Sequence, residues 1–293
     1  MRYRPLSGQG AVVSAVSLRL RADTLSPAET VTRIHQAVEQ GVNFFDIAGD
    51  DAQLLTAAGE ALASVERDLL VIAIRLGADR DFDARALQSR IVDALRRLRV
   101  GYLNAVILDD PTGDELGAQA LSMLKAARAS GKVRMLGVSG CDDAIDAYIT
   151  SGAFDLLMLP YNLSSGWRER RRVVEAGKRD MAIVGYDPWP EAFRTRSAPG
   201  QARPSLLSRA FRSKPADPLV GMGTYAFLEH THGWTSEEIC LAYALTDVKL
   251  ASVQVEVDSA EHLAVLAAVA DRELPAATAA QVEMARFAEV GAA

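Results

Sequence analysis

Along most of this chain, short apolar runs alternate with amphipathic stretches of helical period, and few folds accept that rhythm. Strand-like runs lie at 42–45, 69–74, 104–108, 133–138, 154–159 and 181–186. Between them come helix-like segments such as 83–98, which puts Leu87, Ile91, Ala94, Leu95 and Leu98 on one face. Adding 12–18 before the series and 250–255 near its end gives eight strands, the number that closes a barrel. The expected class is α/β: a (β/α)8 TIM barrel forming a single domain over residues 1–293, a length usual for that fold.

Local signals place the ends of elements. Ser26-Pro27-Ala28-Glu29 reads as a capping box with Pro at the first helical position, opening a helix that carries Val31, Ile34 and Val38 and stops at Gly41. The stretch 187–220 is rich in Pro, Ser, Arg and Gly and reads as a loop or lid after the seventh strand. Its arginines, among them Arg194, Arg196, Arg203, Arg209 and Arg212, make it a candidate partner-binding surface on an otherwise acidic chain. The tail 275–293 reads as one helix across the barrel, with Met284, Phe287 and Val290 at near-helical spacing.

Composition excludes several classes. Hydrophobic residues at 49% and charged residues at 24% suit a soluble globular protein, and no apolar run reaches bilayer length, so no membrane partner is expected. A net charge of -6 disfavours non-specific nucleic-acid binding; the run Arg168, Arg170, Arg171, Arg172 could bind acidic partners locally, but such a run is usually a solvated helix face. Met1-Arg2-Tyr3-Arg4-Pro5-Leu6 carries charge without a signal-type apolar core, which points to a cytoplasmic protein. Cys141 and Cys240 lie far apart without a CxxC and read as buried free thiols. No metal site is expected. His230 and His232 read as part of a surface loop, while His35 and His262 fall in helices.

Four stretches in order resemble the aldo-keto reductase superfamily. Tyr3-Arg4-Pro5-Leu6 with Val13-Ser14-Ala15 is similar to its N-terminal hairpin, and Gly41-Val42-Asn43-Phe44-Phe45-Asp46 to its second strand. Gly131-Lys132-Val133-Arg134-Met135-Leu136-Gly137-Val138-Ser139 is similar to a typical family segment. Pro160-Tyr161-Asn162-Leu163 with Gly185-Tyr186-Asp187-Pro188 completes the set. The resemblance implies a barrel with an N-terminal β-hairpin and a C-terminal helix, NAD(P)H as cofactor, and carbonyl reduction by an Asp, Tyr, Lys and His tetrad in which Tyr is the general acid.

Carried over residue by residue, that tetrad is degraded. The Asp role falls on Asp46, at the end of its strand; where Tyr is expected the chain has Asp50 and Asp51, the Lys position is Arg75, and the His position is Asp109. The cofactor-binding positions read Ser139, Gly140 and Met158 for the nicotinamide amide, with Tyr186 matching the tyrosine that stacks on the ring. Glu256 and Asp258 stand where a cofactor phosphate would bind, and Arg19 replaces the usual Gly near the first strand. An ionised carboxylate repels a developing alkoxide, so Asp109 could serve as an acid only if burial raised its pKa. Asp46 and Arg75 read as a structural ion pair.

The expectation is a divergent family member that is catalytically inactive, a pseudoenzyme with a regulatory role and an unidentified protein partner. Potassium-channel beta subunits and the KidO-type bacterial cell-division regulators are precedents on this fold. No cofactor is required in this reading, although NAD(H) or NADP(H) could be held without turnover. The alternative is an NAD(P)H-dependent oxidoreductase, or another acid-base enzyme, on a rebuilt acidic site in which Asp46, Asp50, Asp51 and Asp109 converge near Arg75.

Overall fold

A computed structural model describes residues 1–6, 10–190, 225 and 227–290, with the side chains of 229, 230 and 286–290 outside the description. Strands β1 (Tyr3–Leu6) and β2 (Ala11–Ser14) form an antiparallel hairpin that pairs Tyr3 with Ser14 and Leu6 with Ala11. Eight parallel strands follow: β3 (Val16–Leu20), β4 (Phe44–Ala48), β5 (Val71–Leu76), β6 (Leu103–Asp109), β7 (Val133–Ser139), β8 (Leu156–Pro160), β9 (Ala182–Tyr186) and β10 (Ser252–Val255). They close in that order, with β10 pairing both β9 and β3.

The helices follow from capping and periodicity. In α1 (Pro27–Glu39) Ser26 and Glu29 make both halves of the expected capping box, and Ile34 and Ala37 are buried beneath. In α2 (Ala52–Leu62) the N-cap is Asp51, whose side chain accepts from the Leu54 amide. In α3 (Ala84–Arg97) Asp83 caps, and Leu87, Ile91 and Ala94 face inward. Further round come α4 (Ala118–Ala129), α5 (Ala144–Ser151), α6 (Trp167–Gly177), α7 (Ser236–Thr246), α8 (Ala260–Val269) and α9 (Ala276–Val290).

Strand alternation divides the apolar residues into two cores. Phe45, Ile47, Ile72, Ile74 and Val106 point outward to the helices. Phe44, Val71, Ala73, Ala105, Ile107, Met135, Leu156 and Val184 fill the barrel interior, and Leu6 and Val13 of the hairpin close it from below. The same alternation carries inward the polar residues further along each strand, which is what builds the site.

Several expectations shift. The run 12–18 is two strands, split at Ala15, because its first half pairs with β1 and its second half enters the barrel. Strands β4 and β5 start two residues later than read: Leu69 is apolar but ends a short 3-10 turn, Arg67–Leu69, with its side chain in solvent. Asp46 therefore lies within β4, two residues before its end. The tail is a helix, but its buried face is Thr278, Val282 and Ala285, while Met284 is 72% exposed. Phe287 and Val290 have side chains outside the described set, as does most of the 187–220 loop with its arginines. No helix among the described residues is long and apolar enough to cross a membrane.

Candidate functional site

Inside the C-terminal mouth, β4, β5, β6, β7, β8, β9 and β10 each contribute one inward polar, sulfur-bearing or aromatic group. At the centre is Arg75, 5% exposed. Its Nε and Nη2 both donate to Asp46 Oδ2, at 2.9 and 2.5 Å. Nη1 donates to Asp109 Oδ1 at 3.1 Å and reaches Ser139 Oγ at 3.5 Å. Nη2 also meets Gln254 Oε1 at 3.1 Å and the Met158 sulfur at 3.4 Å. The guanidinium is thus saturated by the protein itself.

Its partners are equally committed. Gln254 Nε2 donates to the same Asp46 Oδ2 at 2.7 Å, while the buried Oδ1 has no hydrogen-bond partner. Ser139 donates to Asp109 Oδ1 at 2.5 Å. Tyr186 presents its ring to the Arg75 guanidinium, 5.6 Å from the ring centroid. Burial opposes charge on Arg75, but Asp46 and Asp109 outweigh it and hold the guanidinium firmly protonated. Burial likewise pushes Asp109 up, yet Arg75, the Ser139 hydroxyl and Arg19 overcome it and leave the carboxyl below the usual range. Asp109 is therefore ionised at neutral pH, against the condition for its use as an acid. Burial also pushes the Tyr186 hydroxyl up, so it keeps its proton.

A second layer lies toward solvent. Arg19 sits 3.4 Å from Glu256 and 4.0 Å from Asp109, and Arg21 sits 3.7 Å from the same Glu256. Arg33, buried on α1, donates to the backbone carbonyls of Val257, Asp258 and Ser259 and so fixes the turn that follows Glu256.

The structure brings Asp46, Arg75, Asp109, Ser139, Met158 and Tyr186 together and separates Asp50 and Asp51 from them. Asp51 is spent capping α2, and Asp50 pairs with Arg90 at 3.2 Å while accepting from the Gly77 and Ala78 amides. The four-carboxylate convergence is corrected accordingly: both extra carboxylates satisfy helix and loop donors. Among the described residues, no group of three or more His, Cys, Asp or Glu could hold a metal. His232 is exposed. Cys240 is buried, but Cys141 is exposed beside the mouth, a correction that follows from its place just past β7. Burial, with Asp142 and Asp110, pushes its thiol up, which makes it a poor nucleophile.

Sequence reading missed Gln254. Its signal was the inward register of Ser252 and Gln254 against Val253 and Val255 in a strand expected to be apolar. The nicotinamide fit is poor: Ser139 is spent on Asp109, and Met158 offers a sulfur where an amide would be needed.

Comparison with known proteins agrees with this barrel. The family model described as aldo/keto reductase matches residues 15–286. A 6-dehydroglucose reductase of Novosphingobium aromaticivorans is 31% identical over 157 residues, 47% of this chain and 51% of that protein, so the match spans about half the relative's length. Among solved structures, the holo form of an aldo-keto reductase from Bacillus halodurans superposes with a TM-score of 0.76 at 16% identity, covering 97% of this chain and 96% of the other. A Klebsiella pneumoniae aldo/keto reductase in complex with NADP and acetate gives 0.74 at 20%, covering 97% and 95%. With a closed eight-stranded barrel and a family match over nearly its whole length, the chain belongs to the aldo/keto reductase family.

Proposed function

We propose that this chain is a family member without carbonyl reductase activity, a cytoplasmic binding protein with a regulatory role toward a protein partner. The observation that supports this reading is the closed hydrogen-bond set of Arg75. Its donors are taken up by Asp46, Asp109, Ser139, Gln254 and Met158, and Asp109 is ionised where a proton donor would be needed. Reduction of a carbonyl leaves an alkoxide that must be neutralised, and an anion facing it raises the barrier. Any NADH or NADPH that binds does so without the amide contacts of Ser139 and Met158 and without turnover.

A second reading is favoured by one observation, the likeness over half its length to a protein named 6-dehydroglucose reductase. In that reading the chain reduces a sugar carbonyl with NAD(P)H, using an acid group outside the Asp109 position. One experiment separates the two: titrate NADH and NADPH by calorimetry and assay the same sample with simple aldehydes and with 6-dehydroglucose. Binding or non-binding without turnover supports the first reading; consumption of nucleotide well above background establishes the second.

A further inference from the structure

Strand β3 sends an arginine of its own into the mouth. Val16, Leu18 and Leu20 pack outward against the helices, so Arg19 points into the barrel. From β3 it reaches across the opening: Nε lies 3.4 Å from Glu256 Oε1 just past β10, and Nη2 lies 4.0 Å from Asp109 Oδ2 on β6, three strands away in the closed order. The interior of an eight-stranded barrel is just wide enough for side chains to fill. Arg75 fills the deeper level, and Arg19, at 18% exposed, lies on its solvent side. A ligand group entering between the strand ends therefore meets Arg19 before it meets Arg75.

The hold on Arg19 is loose. Among the described residues its fork makes those two ion contacts and no hydrogen bond. Burial and the neighbouring Arg75 pull its guanidinium below the usual arginine range, against Asp46, Asp109 and Glu256, while the group stays protonated. The edge of the mouth beside it is poor ground for phosphate. A dinucleotide brings a pyrophosphate, which needs unspent cations or backbone amides. Glu256 and Asp258 stand there 52% and 86% exposed. Arg21 donates to Asp23 from Nε at 2.9 Å and lies 3.7 Å from Glu256, and Arg33 is spent on the carbonyls of Val257, Asp258 and Ser259. At the start of α8 the His262 amide is taken by Ser259 Oγ. Two exposed carboxylates then oppose the approach of a phosphate.

We infer that Arg19 is a stopper that shuts the mouth to the dinucleotide the family implies, by lying across the opening on the solvent side of Arg75 while Glu256 and Asp258 repel the phosphates. Arg19 thereby sets what this barrel admits: with it in place, neither NADH nor NADPH reaches the strand ends. Removing Arg19 alone would open the space but strand the charge of Glu256 at the rim. Removing Arg19 and Glu256 together opens the space, strands no charge there and leaves Arg21 free on its Glu256 side to meet a phosphate. The inference rests on the inactive reading above and narrows it, since the partner is then bound without nucleotide.

The test is titration of the full chain with NADH and with NADPH, read by calorimetry and by nicotinamide fluorescence, in wild type, Glu256→Gln and the double variant Arg19→Ala, Glu256→Gln. Wild type is expected to bind neither nucleotide with a Kd below about 1 mM, and Glu256→Gln alone to stay closed because Arg19 remains. The double variant should bind at least one of them about tenfold or more tighter than wild type. A wild-type Kd below about 1 mM, a smaller gain in the double variant, or a Glu256→Gln variant that binds as well as the double overturns the inference. Should the alanine variant fail to melt cooperatively, Arg19→Ser with Glu256→Gln takes its place, and the wild-type titration decides in either case. Nucleotide bound by wild type without turnover overturns this inference and leaves the inactive reading standing; turnover sinks both.

Discussion

Removing Arg75 while keeping Asp46 is the sharpest perturbation of this barrel. Asp46 is 1% exposed, and its Oδ2 accepts from Arg75 twice and from Gln254 once. In Arg75→Met the guanidinium disappears and the carboxylate stays in the interior with one amide donor. Breaking one side of a buried ion pair costs about 3–5 kcal/mol. At about 2 °C per kcal/mol for a chain of this size, the melting temperature should fall by about 6–10 °C. Replacing both partners with apolar side chains removes the stranded charge and leaves Gln254 without both Arg75 and Asp46, at about 1–3 kcal/mol for each buried group left unsatisfied. The double variant Arg75→Met, Asp46→Leu should therefore recover part of the loss. Denaturant unfolding of wild type, both single variants and the double variant closes the cycle, provided the m-value is unchanged. A cost below about 1 kcal/mol for Arg75→Met, or a double variant no better than the sum of the singles, refutes the assignment of this network as a buried structural unit.

Two further outcomes follow from local geometry. His262 lies between Glu237, 3.1 Å from Nε2, and Asp258, 3.0 Å from Nδ1, and these carboxylates raise its pKa against the opposing effect of burial. Stability from its cation is then fully present below the unfolded value of about 6.5 and is lost as pH rises through the folded value. The melting-temperature gap between wild type and His262→Gln should be wider at about pH 6 than at about pH 9; a constant gap contradicts it. Gly59 of α2 lies against the end of α3, where an added Cβ would sit 2.8 Å from the Leu98 Cα. Gly59→Ala should cost about 1–3 kcal/mol in denaturant unfolding despite its better helix propensity, and a stabilised variant would show that the crossing can yield.

The fold was legible because the βα rhythm and the capping box at Ser26 depend on local spacing alone. Strand boundaries were less so: Leu69 is apolar in composition but solvent-facing in its turn, and hydropathy cannot distinguish the two. The site positions Asp46, Arg75, Asp109, Ser139, Met158 and Tyr186 came from the family resemblance, and alternation along the strands turns all of them inward. Their mutual saturation was not legible, since it depends on Gln254, which closure places beside β3 from the far end of the chain. Asp50 and Asp51 misled for the opposite reason. A few residues past Asp46 in sequence, they turn away to a neighbouring arginine and a helix start.

Hydride transfer tests the central claim most directly. Incubating the chain with NADH or NADPH deuterated at the transferable position, together with simple aldehydes and 6-dehydroglucose, lets deuterium be sought at the carbinol carbon by mass spectrometry or NMR. A mouth saturated around Arg75 with Asp109 ionised predicts no deuterium above an enzyme-free control. Its incorporation at ordinary enzymatic rates, on the order of 1 s⁻¹ or faster, would contradict the account.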